Sequence, residues 1–176
     1  MMFRPTSIPG AFLLELEKRE DSRGFFARSW CALEAEAHGL DSRLVQCNVS
    51  FNQCRGTLLG LHLQGPPHGE VKLVRCTRGA LMDVLVDLRP DSPMFMKWEA
   101  FDLTQENRTS VYIPQGVAHG FQTLADETEI FYQMSEAYHP ESAQGYRWND
   151  PAFGVTWPVT PPIVSPRDAA FPLYLR

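Results

Sequence analysis

From residue 44 to residue 134 the apolar and polar positions alternate in short runs with a period of two, the pattern of half-buried β-strands. The runs fall at 45–51, 71–76, 80–88, 97–103, 110–113, 120–124 and 128–134, with turn residues such as Arg78-Gly79, Arg89-Pro90-Asp91-Ser92-Pro93 and Pro114-Gln115-Gly116 between them. Parallel β-α-β units would need helices between the strands, so the pattern predicts an antiparallel all-β sandwich or barrel. Upstream, residues 11–18 read as a further strand, and Asp21-Ser-Arg-Gly-Phe-Phe as a turn opening into an extended piece. One helix is predicted, capped by Ser29 and running to about His38, with Trp30, Leu33 and Ala37 on its apolar face and Gly39 as the residue that ends it. Beyond Pro140, prolines at 151, 158, 161, 162, 166 and 172 predict an extended, irregular tail wrapping the barrel.

Alternation also sorts side chains by face. Asp83 and Asp87 fall with Leu81 and Leu85, opposite Met82, Val84 and Val86, and Tyr132 falls with Ile130 and Met134. Lys72 shares a face with Val74 and Cys76, which is unusual if that face is interior and ordinary if Lys72 is an edge-strand lysine in water.

Length and composition narrow the picture. At 176 residues with 44% apolar content, the chain is expected to form one domain over its whole length with a substantial core. A net charge of -5 argues against a nucleic-acid binder, while leaving room for one anion held by local arginines. No signal-peptide-like apolar segment and no run long enough to cross a membrane occurs, so a soluble, cytoplasmic protein is expected. The four cysteines, Cys31, Cys47, Cys54 and Cys76, lack metal-ligand or redox spacing and are expected to be reduced thiols.

Chemistry concentrates in residues 56–72, where His62 interrupts an apolar run and Glu70 and Lys72 follow a Gly-Pro-Pro turn. A second concentration is Ile113-Pro-Gln-Gly-Val-Ala-His119-Gly-Phe, whose turn delivers a histidine to the start of a strand. Together the two segments resemble the two-part signature of the cupins, a jelly-roll or double-stranded β-helix fold. Many cupins hold a metal with His-x-His, a Glu and a later His, which makes His62, Glu70 and His119 a candidate set. Gln64 stands where the second histidine of that motif would be, leaving the set incomplete.

A closer resemblance covers nearly the whole chain in one order. Its residues are Asp21-x-Arg-Gly-Phe-Phe, Gln46-x-Asn48-x-Ser, Gly56-Thr-Leu-x-Gly-Leu-His62-x-Gln, Lys72-Leu-Val-Arg-Cys, Asp83-Val-x-Val-Asp87-Leu-Arg, Ile113-Pro-x-Gly-x-Ala-His119-Gly-Phe, Tyr132, Trp148-Asn-Asp, Trp157-Pro and Ser165-x-x-Asp168. This ordered set resembles the dTDP-4-dehydrorhamnose 3,5-epimerase family. The resemblance implies a cupin jelly roll that epimerises nucleotide-linked 4-keto-6-deoxy sugars at the carbons beside the ketone, with no metal and no organic cofactor. It implies His62 as the base, Asp168 as its orienting partner, Tyr132 as the acid on the opposite face, and Lys72 at the keto oxygen. His119, with Asp83 behind it, is a second pocket histidine. Arg23, Phe26, Gln46 and Asn48 would contact the nucleotide, Arg23 and Phe26 from the partner subunit of a homodimer. Arg167 is a further candidate phosphate ligand.

Three positions depart from the family pattern. Leu59 stands where the family usually has a diphosphate-binding arginine, Arg28 replaces a glutamate, and Ala143 replaces an acid before Trp148. All three bear on ligand binding, so retained enol chemistry with altered recognition is expected, Arg28 partly replacing the charge lost at Leu59. The competing readings are a metal-dependent cupin oxygenase and a non-catalytic sugar-binding cupin.

Overall fold

The computed structural model describes residues 1–174 and is built almost entirely of β-strands. In chain order they are β1 (Met2–Pro5), β2 (Phe12–Glu15), β3 (Arg19–Asp21), β4 (Gly24–Phe26), β5 (Gln46–Asn52), β6 (Thr57–Gln64) and β7 (Lys72–Arg78). There follow β8 (Ala80–Asp87), β9 (Trp98–Thr104), β10 (Ser110–Ile113), β11 (Val117–Thr123), β12 (Thr128–Met134), β13 (Ala143–Gly145) and β14 (Ile163–Val164). One sheet runs β1-β2-β10-β7-β12-β5 and the other β13-β6-β11-β8-β9, with β14 alongside β6; β3 and β4 form a separate hairpin. The two larger sheets stack as a jelly roll of the cupin kind.

The alternation predicted from sequence decides what lies between the sheets. Val74, Cys76, Leu81, Leu85, Val111, Ile113 and Ile130 form the inner core, and Tyr132 packs against it. The opposite face of β8, with Val84, Val86 and Met82, belongs to a second apolar layer outside the sheet, which Leu58, Leu61, Phe153 and Trp157 complete. That layer exists because the tail past Pro140 lies across it. Buried Gln122 fixes the tail by donating to the Val159 carbonyl (2.9 Å) and accepting from its N–H (3.0 Å), and Trp157 Nε1 donates to the Trp148 carbonyl at 2.9 Å. The tail is less irregular than its prolines predict, since it also forms β13, β14 and a four-residue helix.

The N-terminal helix differs from expectation. Helix α1 spans Ala32–Ala37, the residue before it is Cys31 in extended conformation with no side-chain cap, and Ser29 lies outside. Leu33 is 76% exposed and Ala37 is exposed, while Ala35 is buried. A helix of under two turns has no continuous apolar face; this one is held by Ala35 and by Trp30 just before it, which packs on Leu14, Val71, Leu73 and Tyr112. Its end is as expected: Gly39 adopts φ 72° and donates to Glu36, and Leu40 reaches back to Ala35, closing the last turn.

Two strands also depart from prediction. The run 57–64, left without an assignment, is β6, and β11 starts at Val117 rather than Gly120. Both differences trace to the approach of β6 and β11. A Cβ on Gly60 would lie 2.6 Å from Gly120 Cα, and one on Gly120 would lie 2.8 Å from the Leu59 carbonyl oxygen. The register between these strands shifts there, from His119 opposite His62 to Phe121 opposite Leu59. A bulge of this kind breaks the period-two pattern and re-aims neighbouring side chains.

Candidate active site

His62 stands on β6 beyond that bulge, in the cavity between the sheets. Its Nε2 lies 3.1 Å from Asp168 Oδ1, and Asp168 Oδ2 accepts from the Gly60 N–H at 3.3 Å. The aspartate belongs to helix α2 (Pro166–Ala169), with Pro166 pre-set for a first helical turn and Ser165 Oγ accepting from the Asp168 N–H at 3.1 Å. Just upstream, β14 runs parallel to β6, pairing Ile163 with Thr57 and Val164 with Leu58. The acid is therefore delivered to the histidine by the tail. Burial, the largest influence on Asp168, opposes its charge; the bonds from His62 and Gly60 and the nearby Arg167 outweigh it and hold the carboxyl below its ordinary value. Phe171, on the same tail, sets its ring edge-on to His62 with centroids 5.4 Å apart.

Lys72 and Tyr132 reach the same space from the other sheet. β7 lies between β10 and β12, so Lys72 is on a central strand, not an edge, and its side chain is buried. Its ammonium pairs with Glu70. Tyr132, opposite Val74 on β12, has its phenol pushed up by burial and then by the charge of Glu70, so it is protonated at neutral pH. A cavity of about 660 Å³ is lined by His62, Lys72, Tyr132, Asp168, Gln46 and Arg167. Leu59, Glu70, Tyr138 and Ala143 complete parts of its wall. Beneath it a smaller space of about 110 Å³ brings His119 beside His62, Lys72 and Tyr132. His119 Nε2 lies 2.7 Å from fully buried Asp83, whose carboxyl is pushed up by burial against the opposing pull of His119 and Lys72.

The remaining expected ligand residues are not in this space. Arg23, 88% exposed, pairs with Asp21 at the tip of the β3–β4 hairpin, and Phe26, 71% exposed, stands at its open end opposite Arg19. Arg28 pairs with Glu34 in a separate cavity shared with Met1 and Glu17. It does not stand near Leu59 within one chain. Asn48 bonds to Gln46 and to Met134 Sδ, and lines neither catalytic cavity. Sequence reasoning passed over Tyr138, Phe171 and the Gly60–Gly120 contact. Only the last left a signal, as glycines beside each histidine.

The candidate metal set does not fit a metal. Among the described residues, His62, Glu70 and His119 do not bring their three donor atoms within 4.8 Å of one another, and Glu70 is paired with Lys72. Gln64 turns away, donating to the His68 and Ala137 carbonyls and accepting from the His139 N–H. Among the described residues, the three metal-type ligands whose donor atoms come within 4.8 Å of one another are His68, His139 and Glu141. There the imidazoles are stacked in parallel planes, 3.6 Å apart at 5°, so their in-plane lone pairs do not converge on one ion.

Comparison with known proteins identifies the family. The family model described as dTDP-4-dehydrorhamnose 3,5-epimerase matches residues 5–175. The chain belongs to that family. A dTDP-4-dehydrorhamnose 3,5-epimerase of Sinorhizobium fredii is 41% identical over 173 residues, covering 98% of this chain and 89% of its own. A dTDP-4-dehydrorhamnose 3-epimerase of Streptomyces niveus is 39% identical over 170 residues, covering 96% and 81%. The crystal structure of the Bacillus anthracis 3,5-epimerase with TDP and PPi bound superposes with a TM-score of 0.94 at 39% identity, covering 98% of this chain and 99% of that one. No helix of the described residues is long and apolar enough to cross a membrane.

Proposed function

We propose that the chain is an epimerase that inverts C3, C5 or both in a nucleotide-linked 4-keto-6-deoxy sugar of the dTDP-4-dehydro-6-deoxyglucose type, in the cytoplasm. A proton beside a ketone is acidic because its loss gives an enolate, so the site needs a base, a donor at the enolate oxygen and an acid on the other ring face. His62 takes the proton. Asp168 holds its imidazole in one tautomer and stabilises the imidazolium that forms. Lys72 donates to the oxyanion in a water-poor cavity, where such a contact counts for more than in solvent. Tyr132, kept as a phenol, returns a proton from the opposite side. His119, oriented by Asp83, adds a second donor at the sugar. The observation that carries this reading is the His62–Asp168 pair at 3.1 Å, opening on the same cavity as Lys72 and Tyr132.

Gln46 and Arg167 line the outer part of that cavity and are assigned to the nucleotide diphosphate, with Asn48 supporting Gln46. Arg23 and Phe26 reach a site only in a homodimer, each donated to the partner subunit's cavity. An edge strand supports that assembly: β5 turns polar Gln46, Asn48 and Ser50 inward and leaves Val49 and Phe51, with Val45 just before it, more than half exposed. Leu59 makes the wall near His62 apolar where a cation is usual, and Arg28, paired with Glu34, compensates only through a partner subunit.

The test is incubation with dTDP-4-keto-6-deoxyglucose in deuterated water, followed by NMR. Deuterium at C3, at C5 or at both supports the proposal and reports the position; an unlabelled sugar bound without exchange sinks it in favour of a binding protein.

A further inference from the structure

Glu70 has no step in the mechanism above, yet it is buried in the wall of the catalytic cavity between Lys72 and Tyr132. One of its oxygens, Oε1, accepts from the Lys72 ammonium. The other, Oε2, is buried with no partner. A carboxylate whose only task were to neutralise a lysine would be expected to have both oxygens satisfied, because an unmet buried acceptor costs about 1–3 kcal/mol. Tyr132 lines the same cavity, and its hydroxyl makes no hydrogen bond among the described residues; burial first, and then the Glu70 charge, raises its phenol.

We infer that Glu70 is a positioning residue that ties the oxyanion donor to the proton donor: Oε1 holds the Lys72 ammonium, and Oε2 is the acceptor on which the Tyr132 hydroxyl docks. The inference rests on the epimerase reading and adds to it a residue that touches neither sugar nor nucleotide. The electrostatics explain why one anion serves both groups. A buried lysine without a counter-charge tends to lose its proton, and a phenol beside an uncompensated ammonium tends to ionise. Either event removes a donor that the enolate steps need. With Glu70 in place, one Lys72 N–H is held and two are left for the keto oxygen, while the Tyr132 phenol is kept raised.

The experiment compares wild type, Glu70→Gln, Lys72→Met and the double variant for solvent-deuterium exchange, dTDP binding by calorimetry and tyrosinate absorbance. Glu70→Gln is expected to cut exchange by at least about tenfold, below the range for a group that itself transfers a proton, with dTDP affinity unchanged. In the Lys72→Met background the same substitution should cost less than in wild type, keeping only the part that passes through Tyr132. The tyrosinate step that disappears in Tyr132→Phe should move to lower pH in Glu70→Gln and stay in place in Glu70→Asp, which keeps the charge and covers the case that the amide variant folds poorly. Wild-type exchange in Glu70→Gln, or losses that add with the tyrosinate step unmoved, would overturn the inference. If wild type exchanges no deuterium at all, the epimerase reading fails, and the tyrosinate titration still decides whether Glu70 governs Tyr132.

Discussion

The fold holds two histidine–aspartate pairs opposite one another, and they are built to different ends. His62 and His119 face each other across β6 and β11, each bonded through Nε2 to a buried carboxylate. The His62 side chain is 35% exposed to the cavity, whereas His119 is 11% exposed and Asp83 fully buried. Asp168 uses both oxygens, one on His62 and one on the Gly60 N–H, and its carboxyl is held below the ordinary value. Asp83 leaves Oδ1 buried without a partner, and burial pushes its carboxyl up. Contact with a carboxylate therefore does not by itself make a histidine a base. The pair fit for proton transfer is the one whose acid is satisfied on its second oxygen and whose imidazole is open to a ligand.

That contrast is broken most sharply at His62. His62→Asn should lower deuterium exchange by roughly 100-fold to 10,000-fold while dTDP binding persists, whereas His119→Asn should keep measurable exchange. Asp168→Asn comes next, with an expected loss of roughly 100-fold, because the amide keeps the contact and loses control of the tautomer. It also has a pH signature. A folded-state carboxyl below its unfolded value of 3.8 contributes stability above that pH and loses it as pH falls through the lower folded value, so wild type should destabilise in acid relative to Asp168→Asn.

Gly120→Ala sharpens the comparison from the backbone. Its Cβ would meet the Leu59 carbonyl at 2.8 Å, so the strands carrying the two histidines must part. Urea unfolding should show a loss of about 1–3 kcal/mol, accompanied by slower exchange. The smallest effect on rate is expected for Asp83→Asn. Its sign in stability is opposite to that at Asp168: a raised folded value contributes stability below 3.8 that is lost as pH rises through it. The variant should therefore gain on wild type as pH rises above 3.8, as read by unfolding midpoints.

Much of this site could be read from the chain because β-alternation is local. The shared face of Tyr132 with Ile130 put that donor inside before any contact was known, while alternation left Lys72 between an interior face and a solvated edge, a choice decided by the central place of β7. The strand carrying His62 was harder to read, since the bulge at Gly60 interrupts its alternation. Asp168 lies 106 residues from His62, and no periodicity links them; only the ordered family motifs did. The capped helix at Ser29 failed because a helix this short is fixed by what it docks on. Arg23, Phe26 and Arg28 stand outside the cavity of their own chain, a separation that no local pattern reports.

Parallel strand β14 and the turn of helix that follows it have a consequence for the making of the protein. A nascent chain that has emerged through Met134 already carries His62, Lys72, His119 and Tyr132 and the strands of the inner core. It lacks the segment that lays Asp168 on Gly60. Its outer layer of Leu58, Leu61, Val84 and Val86 also lacks the tail residues Phe153 and Trp157 that cover it, so the same segment that aligns His62 closes the second core.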